Sequence, residues 1–230
     1  MTNLNVDYTS PKTQYTFDLN KSTLFQKDPN NLINILGVKQ LNTLENISLL
    51  DIFLSANNVV EPHYHQNAAE LVYCISGAAT VSILNPYTKE IMNYPITPGQ
   101  VANVPQGWWH YEMATVDCTH LLAIFDAPTP EVILGSDILK FTPANIMAHT
   151  YCLNEEQWKQ TTSTIKPSTY IGPYKQPNER TNATISFLST TVLPTTNAPL
   201  SLSLCPSLSL LLDIRNKSSS VTRNTCITGN

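Results

Sequence analysis

Short apolar runs alternate with turn residues from Leu44 to Asp126. The runs are rich in β-branched and other apolar residues, as β-strands are, and Asn, Gly and Pro separate them. About eight short strands at this spacing predict an all-β sandwich or jelly-roll barrel. The strands are predicted near residues 45–55, 58–64, 68–76, 78–84, 90–96, 100–104, 108–115 and 118–126.

The segments on either side of this region have a different character. Residues 1–27 are polar and are predicted to form an arm that docks on a sheet edge. Asp28-Pro29, followed by apolar residues up to Gly37, fits a short helix, and a strand is the alternative. After the barrel, Thr142 and Asn154 are the predicted N-caps of two short helices.

The C-terminal part of the chain is predicted to lie outside the folded domain. About a third of residues 179–230 are Ser or Thr, and no strand or helix period is sustained there. The sequence therefore predicts an N-terminal arm at 1–27, a domain with flanking helices at 28–162, and a linker with a disordered tail at 163–230.

Composition narrows the class of function. The formal net charge of −4 gives no reason to expect nucleic acid or an anionic membrane surface as a partner. No secretory signal is readable at the start, and no apolar run reaches the roughly 18 residues of a membrane span. The five cysteines are scattered and lack CxxC spacing, so no disulfide framework is expected. A reducing, cytoplasmic location is predicted.

Two linked clusters carry the chemistry. The first contains His63, His65 and Glu70, and the second ends at His110 after a Pro/Gly turn. Alternate residues of a strand share a face, so His63 and His65 project together. Three imidazoles and one carboxylate from neighbouring strands form a nitrogen-and-oxygen metal site without thiolate. The pair of clusters predicts that these four residues bind one divalent metal ion.

These residues also carry a family resemblance. The patterns H-x-H-x4-E-x6-G and G-x5-P-x-G-x-x-H resemble the two motifs of the cupins, and the stretches EPHYHQNAAELVYCISGAATVSI and ITPGQVANVPQGWWHY are similar to the oxalate decarboxylase and germin-like branch. The resemblance runs from about residue 34 to 158 and implies a single-domain cupin jelly roll, a double-stranded β-helix. Asn57 and Ala114 depart from the pattern, which usually has Gly and Asn there. Asn tolerates the left-handed backbone that the first position requires.

The resemblance implies a function as well as a fold. It implies manganese as the cofactor and oxalate or a related small carboxylate as the substrate, processed by decarboxylation or oxidation. The ligand set itself also allows iron, nickel or zinc. The alternatives are a non-catalytic metal-binding or structural germin-like protein, and another cupin reaction such as dioxygenation or sugar isomerisation.

Catalysis on oxalate also needs a group that moves a proton, and two glutamates are candidates. Glu112 lies two residues after His110 on the same strand face, where it is either an acid/base or a hydrogen-bond partner that orients a ligand imidazole. Glu131 lies where related two-domain enzymes carry a lid glutamate, but a solvated loop carboxylate is the favoured reading. Extensions on both sides of the barrel also predict a homo-oligomer.

Overall fold

Two antiparallel β-sheets dominate the computed structural model, which describes residues 6–174. The twelve strands found there are β1 (Thr23–Asp28), β2 (Asn31–Leu36), β3 (Ser48–Leu54), β4 (Val59–Tyr64), β5 (Glu70–Ser76), β6 (Ala79–Asn85), β7 (Glu90–Ile96), β8 (Val101–Val104), β9 (His110–Ala114), β10 (Thr119–Phe125), β11 (Ile133–Leu134) and β12 (Ile171–Gly172). All eight predicted barrel strands are present, as β3 to β10. The all-β jelly-roll prediction is confirmed.

Consecutive strands lie on opposite sheets from β3 to β6 and from β7 to β11. One sheet has the order β1-β2-β3-β10-β5-β8 and the other β11-β4-β9-β6-β7, with β12 paired to β4. Residues from the inner faces of both sheets make one hydrophobic core, which includes Ile52, Val72, Val81 and Leu121. The core therefore lies between the sheets.

Strand β10 shows why the pattern produces this packing. Its residues alternate between buried and half-buried positions from Thr119 to Phe125. Leu121, Ala123 and Phe125 point into the core, with at most 1% of each residue exposed. The strand pairs with β3 on one side and β5 on the other, so its backbone is hydrogen-bonded along both edges.

The helix predicted from Asp28 to Gly37 is wrong, because this stretch forms the β1–β2 hairpin. The Asp28 carboxylate accepts hydrogen bonds from the Asn30 N–H at 2.9 Å and from the Asn31 side-chain amide, which closes the turn. The same Asp-Pro signal that can start a helix thus closes a hairpin here. Pairing of β2 with β3 favours the strand, which was the alternative.

Three short helices follow the barrel: α1 (Gly135–Phe141), α2 (Ala144–Tyr151) and α3 (Glu155–Thr162). The Asn154 cap is confirmed, since its side-chain oxygen accepts from the Gln157 N–H at 2.9 Å. Helix α2 begins after Pro143 and has no side-chain cap, so Thr142 is not its N-cap. The sequence reading did not include α1.

Two turn positions have the left-handed backbone that their residue types allow. Asn57 has φ 64°, as expected for the residue that replaces the usual glycine. Gly77 has φ 75°, and a Cβ there would lie 2.6 Å from Thr119. No other residue fits at Gly77 without displacement of β10.

The sequence also led to expectations about the C-terminal tail, membrane-spanning helices and cysteines. Residues 179–230, predicted to be disordered, lie outside the described residues. Within residues 6–174 no helix is long and apolar enough to cross a membrane. Cys74 and Cys152 are free thiols, as expected from the lack of a disulfide framework.

Candidate metal centre

Four side chains meet inside the barrel: His63, His65, Glu70 and His110. One possible ligand atom from each lies within 4.8 Å of the other three, and all four residues are buried. His63 and His110 are directly paired across β4 and β9, while Glu70 begins β5 on the facing sheet. The fold therefore brings together all four residues that the sequence predicted as metal ligands.

Backbone carbonyls fix the orientation of all three imidazoles. The Nδ1 atoms of His63, His65 and His110 lie 2.6, 2.7 and 2.8 Å from the carbonyl oxygens of Glu61, Glu131 and Trp108, respectively. A carbonyl oxygen only accepts, so each Nδ1 carries the hydrogen and donates it. In the neutral imidazole, each Nε2 then has a lone pair directed into the site, as in histidines that bind a metal.

The distances within the cluster suit a cation. The Nε2 atoms of His63 and His65 are 3.2 Å apart, where two lone pairs repel unless positive charge lies between them. The Glu70 Oε2 atom is 2.7 Å from His110 Nε2 and 3.3 Å from His65 Nε2. Metal–ligand bonds of about 2.1 Å at right angles separate neighbouring ligand atoms by about 3 Å. The donor set and its spacing therefore fit a divalent metal ion.

The ionisable groups of the cluster shift one another's pKa values. Burial raises the pKa of Glu70, but hydrogen bonds and positive charge from His110 and His65 outweigh burial, so its pKa falls below the usual range. Burial lowers the pKa of His110, but Glu70 and then Glu112 raise it to about 9. Burial, with the neighbouring His110, holds the pKa of His63 well below its usual value. The site keeps a carboxylate ionised in the core and holds positive charge beside it.

Glu112 shares the inner face of β9 with His110, as the sequence predicted. Only 1% of the residue is exposed, and neither carboxylate oxygen has a hydrogen-bond partner. Its Oε1 atom lies 3.5 Å from His110 Nε2. Burial, followed by the charge of Glu70, raises the pKa of Glu112 to about 8. A buried carboxyl group without a partner is costly, so its position beside the cluster calls for a role there.

The Glu131 side chain lies apart from the cluster. It is exposed, and its carboxylate accepts a hydrogen bond from the Gln66 side-chain amide at 2.9 Å. The Glu131 backbone contributes instead, because its carbonyl orients His65 and its N–H donates to the Asn67 side chain. The exposed carboxylate agrees with the interpretation of Glu131 as a solvated loop residue, which the sequence analysis favoured.

The sequence reading missed Glu61, which is buried two residues before His63. Its carboxylate accepts from the Ser136 N–H at 2.7 Å, the Ser136 hydroxyl at 2.9 Å and the Tyr170 N–H at 2.8 Å. Its carbonyl orients His63. The only signal in the sequence was a carboxylate in a strand that must be buried, since such a group requires donors.

The cluster opens on a cavity of about 100 Å³ between the sheets. His63, His65, Glu70 and Glu112 form its polar end. The rest of the wall consists of aliphatic side chains from β1, β2, β3, β4 and β11, of Pro130 and Val132 in the loop before β11, and of Tyr170. A small molecule in the cavity would therefore contact both the cluster and the hydrophobic core.

This fold and site define a class of β-barrel proteins that can hold one metal ion between their sheets. The profile of the family described as Cupin matches residues 20–159, more than half of the sequence. The chain therefore belongs to the cupin family.

Known proteins of two kinds resemble the chain. Legumin type B from Vicia faba is 25% identical over 131 residues, 56% of this chain and 26% of legumin. The crystal structure of the coconut allergen cocosin superposes with a TM-score of 0.59 and 22% identity, over 67% of this chain and 42% of cocosin. Oxalate decarboxylase from Bacillus subtilis superposes with a TM-score of 0.61 and 21% identity, over 73% of this chain and 44% of the enzyme. These structural identities show the shared fold alone, and the chain spans less than half the length of each protein.

Proposed function

We propose that the protein binds one divalent metal ion, manganese in the first instance, and with it decarboxylates or oxidises a small carboxylate such as oxalate. His63, His65, Glu70 and His110 would hold the ion. The observation that carries the catalytic part is the Glu112 carboxyl group, buried without a partner 3.5 Å from His110 Nε2. A purely structural carboxyl group in this position would be expected to have donors.

Each residue has a separate task in this proposal. A bound ion would polarise the oxygens of the substrate and compensate its negative charge. An ion held by these four side chains would have room for the substrate on the side of the cavity. The carbonyls of Glu61, Glu131 and Trp108 keep the imidazoles in place. Glu112, which lines the cavity, would hold or accept a proton at its carboxylate.

The experiment compares Glu112→Gln with wild type after both have been loaded with manganese. Gln keeps the size of the side chain but cannot take up a proton. We expect metal content to be unchanged and turnover of the substrate to fall by about 100-fold or more. Oxalate is tested first, with dioxygen, at pH 4 to 8, by assays for oxalate loss, formate and peroxide. Glu131→Gln is the matched control, since its carboxylate is exposed and bonded to Gln66. A large loss in that variant instead would make Glu131 the proton carrier.

The similarity to legumin supports a second candidate, a non-catalytic metal-binding or structural protein. The two candidates differ in what Glu112 does. If the manganese-loaded wild type binds small carboxylates but turns over none of them, the non-catalytic candidate replaces the enzyme. Equal turnover by wild type and Glu112→Gln would remove Glu112 from the mechanism but would leave the metal centre in place.

A further inference from the structure

Apart from the candidate metal centre, Glu112 and Tyr170, the wall of the cavity is aliphatic. Branched side chains from both sheets line it, and among the described residues that do so there is neither Lys nor Arg. Lys27 on β1 donates to the side-chain oxygen of Asn58 instead. The aliphatic side chains that line the cavity include those of Leu24, Ile33, Ile35, Leu50, Ile52 and Leu134.

The charge of the site limits the charge of its ligand. Three neutral imidazoles, one carboxylate and a divalent ion give a net charge of about +1. A monoanion makes this sum zero. A dianion leaves an excess negative charge in a buried space beside Glu70 and Glu112, and the cavity wall offers no cationic side chain to compensate it.

The volume limits the size of the ligand. A dry cavity of about 150 Å³ admits benzene, which has six carbon atoms. The cavity here measures about 100 Å³, so it encloses about as many atoms as benzene has or fewer, and the end of a longer tail would extend into its open mouth. Oxalate would fit, but outside the polar end and Tyr170 the wall offers its second carboxylate only aliphatic side chains, such as Ile52, which is 2% exposed.

We propose that the ligand of this site is a singly charged 2-oxo or 2-hydroxy carboxylate with a short aliphatic tail, and not the oxalate dianion. This inference rests on the proposed metal centre. One carboxylate oxygen and the adjacent oxo or hydroxyl oxygen would both bind the ion that His63, His65, Glu70 and His110 would hold. The tail then lies against the wall formed by Ile33, Ile52 and Leu134, where each buried methylene increases affinity about fourfold.

Binding to the full-length, manganese-loaded protein tests the proposal without requiring turnover. Calorimetry measures the affinity of 2-oxopropanoate, 2-oxobutanoate, 2-oxopentanoate, oxalate and butanoate. We expect affinity to rise about threefold to fourfold per methylene along the 2-oxo series and 2-oxopentanoate to bind at least 10-fold tighter than oxalate. Butanoate lacks the second chelating oxygen and should bind more weakly than 2-oxobutanoate.

A variant at the mouth tests the charge argument separately. Leu24 lines the cavity and is 41% exposed, so arginine can be accommodated there. Leu24→Arg should increase the affinity for oxalate and decrease the affinity for 2-oxopentanoate. The ratio of the two affinities should therefore fall or reverse. Ile91→Arg adds the same charge on β7, at an exposed position that does not line the cavity, and should leave the preference unchanged.

The outcomes separate this inference from the proposed function. If the protein holds one manganese ion and binds oxalate as tightly as 2-oxopentanoate, the inference is overturned and the metal centre stands. A flat 2-oxo series at full metal occupancy also overturns it. If no metal binds at any pH from 6 to 9, the proposed function fails and the inference fails with it.

Discussion

Replacement of Glu61 by alanine should lower the free energy of unfolding, even when no metal is bound. The Glu61 carboxylate accepts three hydrogen bonds, two from Ser136 and one from Tyr170. Each buried donor that loses its acceptor costs about 1–3 kcal/mol, so the two backbone N–H groups together account for about 2–6 kcal/mol. The Ser136 hydroxyl can rotate to another acceptor, but the two backbone N–H groups cannot. We expect a loss of about 3–5 kcal/mol.

The assay is urea denaturation in the presence of a chelator, so that metal binding does not alter the free energy of unfolding. A domain of this size loses about 2–4 °C in Tm per kcal/mol, so thermal melts should shift by about 6–20 °C. Glu90→Ala, an exposed glutamate at the start of β7, is the control and should change stability by no more than about 0.5 kcal/mol. If Glu61→Ala costs less than about 1 kcal/mol, the carboxylate is not what holds α1 and residue 170 against β4.

Three further results are expected. His65→Ala should lose stoichiometric metal in elemental analysis, whereas His149→Ala on α2 should keep it, because only the first removes a ligand. Manganese affinity should fall about tenfold per pH unit as the pH drops from 9 to 6, since the raised pKa of His110 leaves on Nε2 a proton that the ion must displace; a flat profile in calorimetry would contradict this. Light scattering should give a mass well above the 25.5 kDa of one chain, because Tyr73, Ile75 and Val101 expose apolar surface on the first sheet, and a monomer at micromolar concentration would refute the oligomer.

The barrel strands could be predicted because each carries its own signals. Asn, Gly or Pro separates most of the predicted strands, and β3 to β10 begin and end within three residues of the prediction. The β1–β2 hairpin could not be read in the same way, because Asp28-Pro29 is compatible with a helix start and with a turn. The pairing of β2 with β3, which is a tertiary interaction, decides between them.

The candidate site also has features that local sequence patterns predict and features that they do not. The four possible ligands and Glu112 follow from strand periodicity and motif spacing, which are local properties. Glu61 contacts residues 75 and 109 positions further along the chain, and no local pattern indicates such partners. The aliphatic cavity is equally nonlocal, because its wall combines residues from five strands and the loop before β11. Chemistry carried by one motif was predictable, and the surroundings that select a ligand were not.

The strand that carries His63 is stabilised along both edges, which links the segment after the barrel to the candidate metal centre. Strand β4 pairs with β9 on one side, and on the other side with β11 at His63–Tyr64 and β12 at Val59–Val60. Ile171 of β12 is fully buried in the core. An unpaired edge would leave the backbone of β4 free to shift, and the imidazoles can hold a metal only if that backbone stays in register. Residues 133–172 therefore belong with the site in physical terms, although the sequence separates them from its motifs.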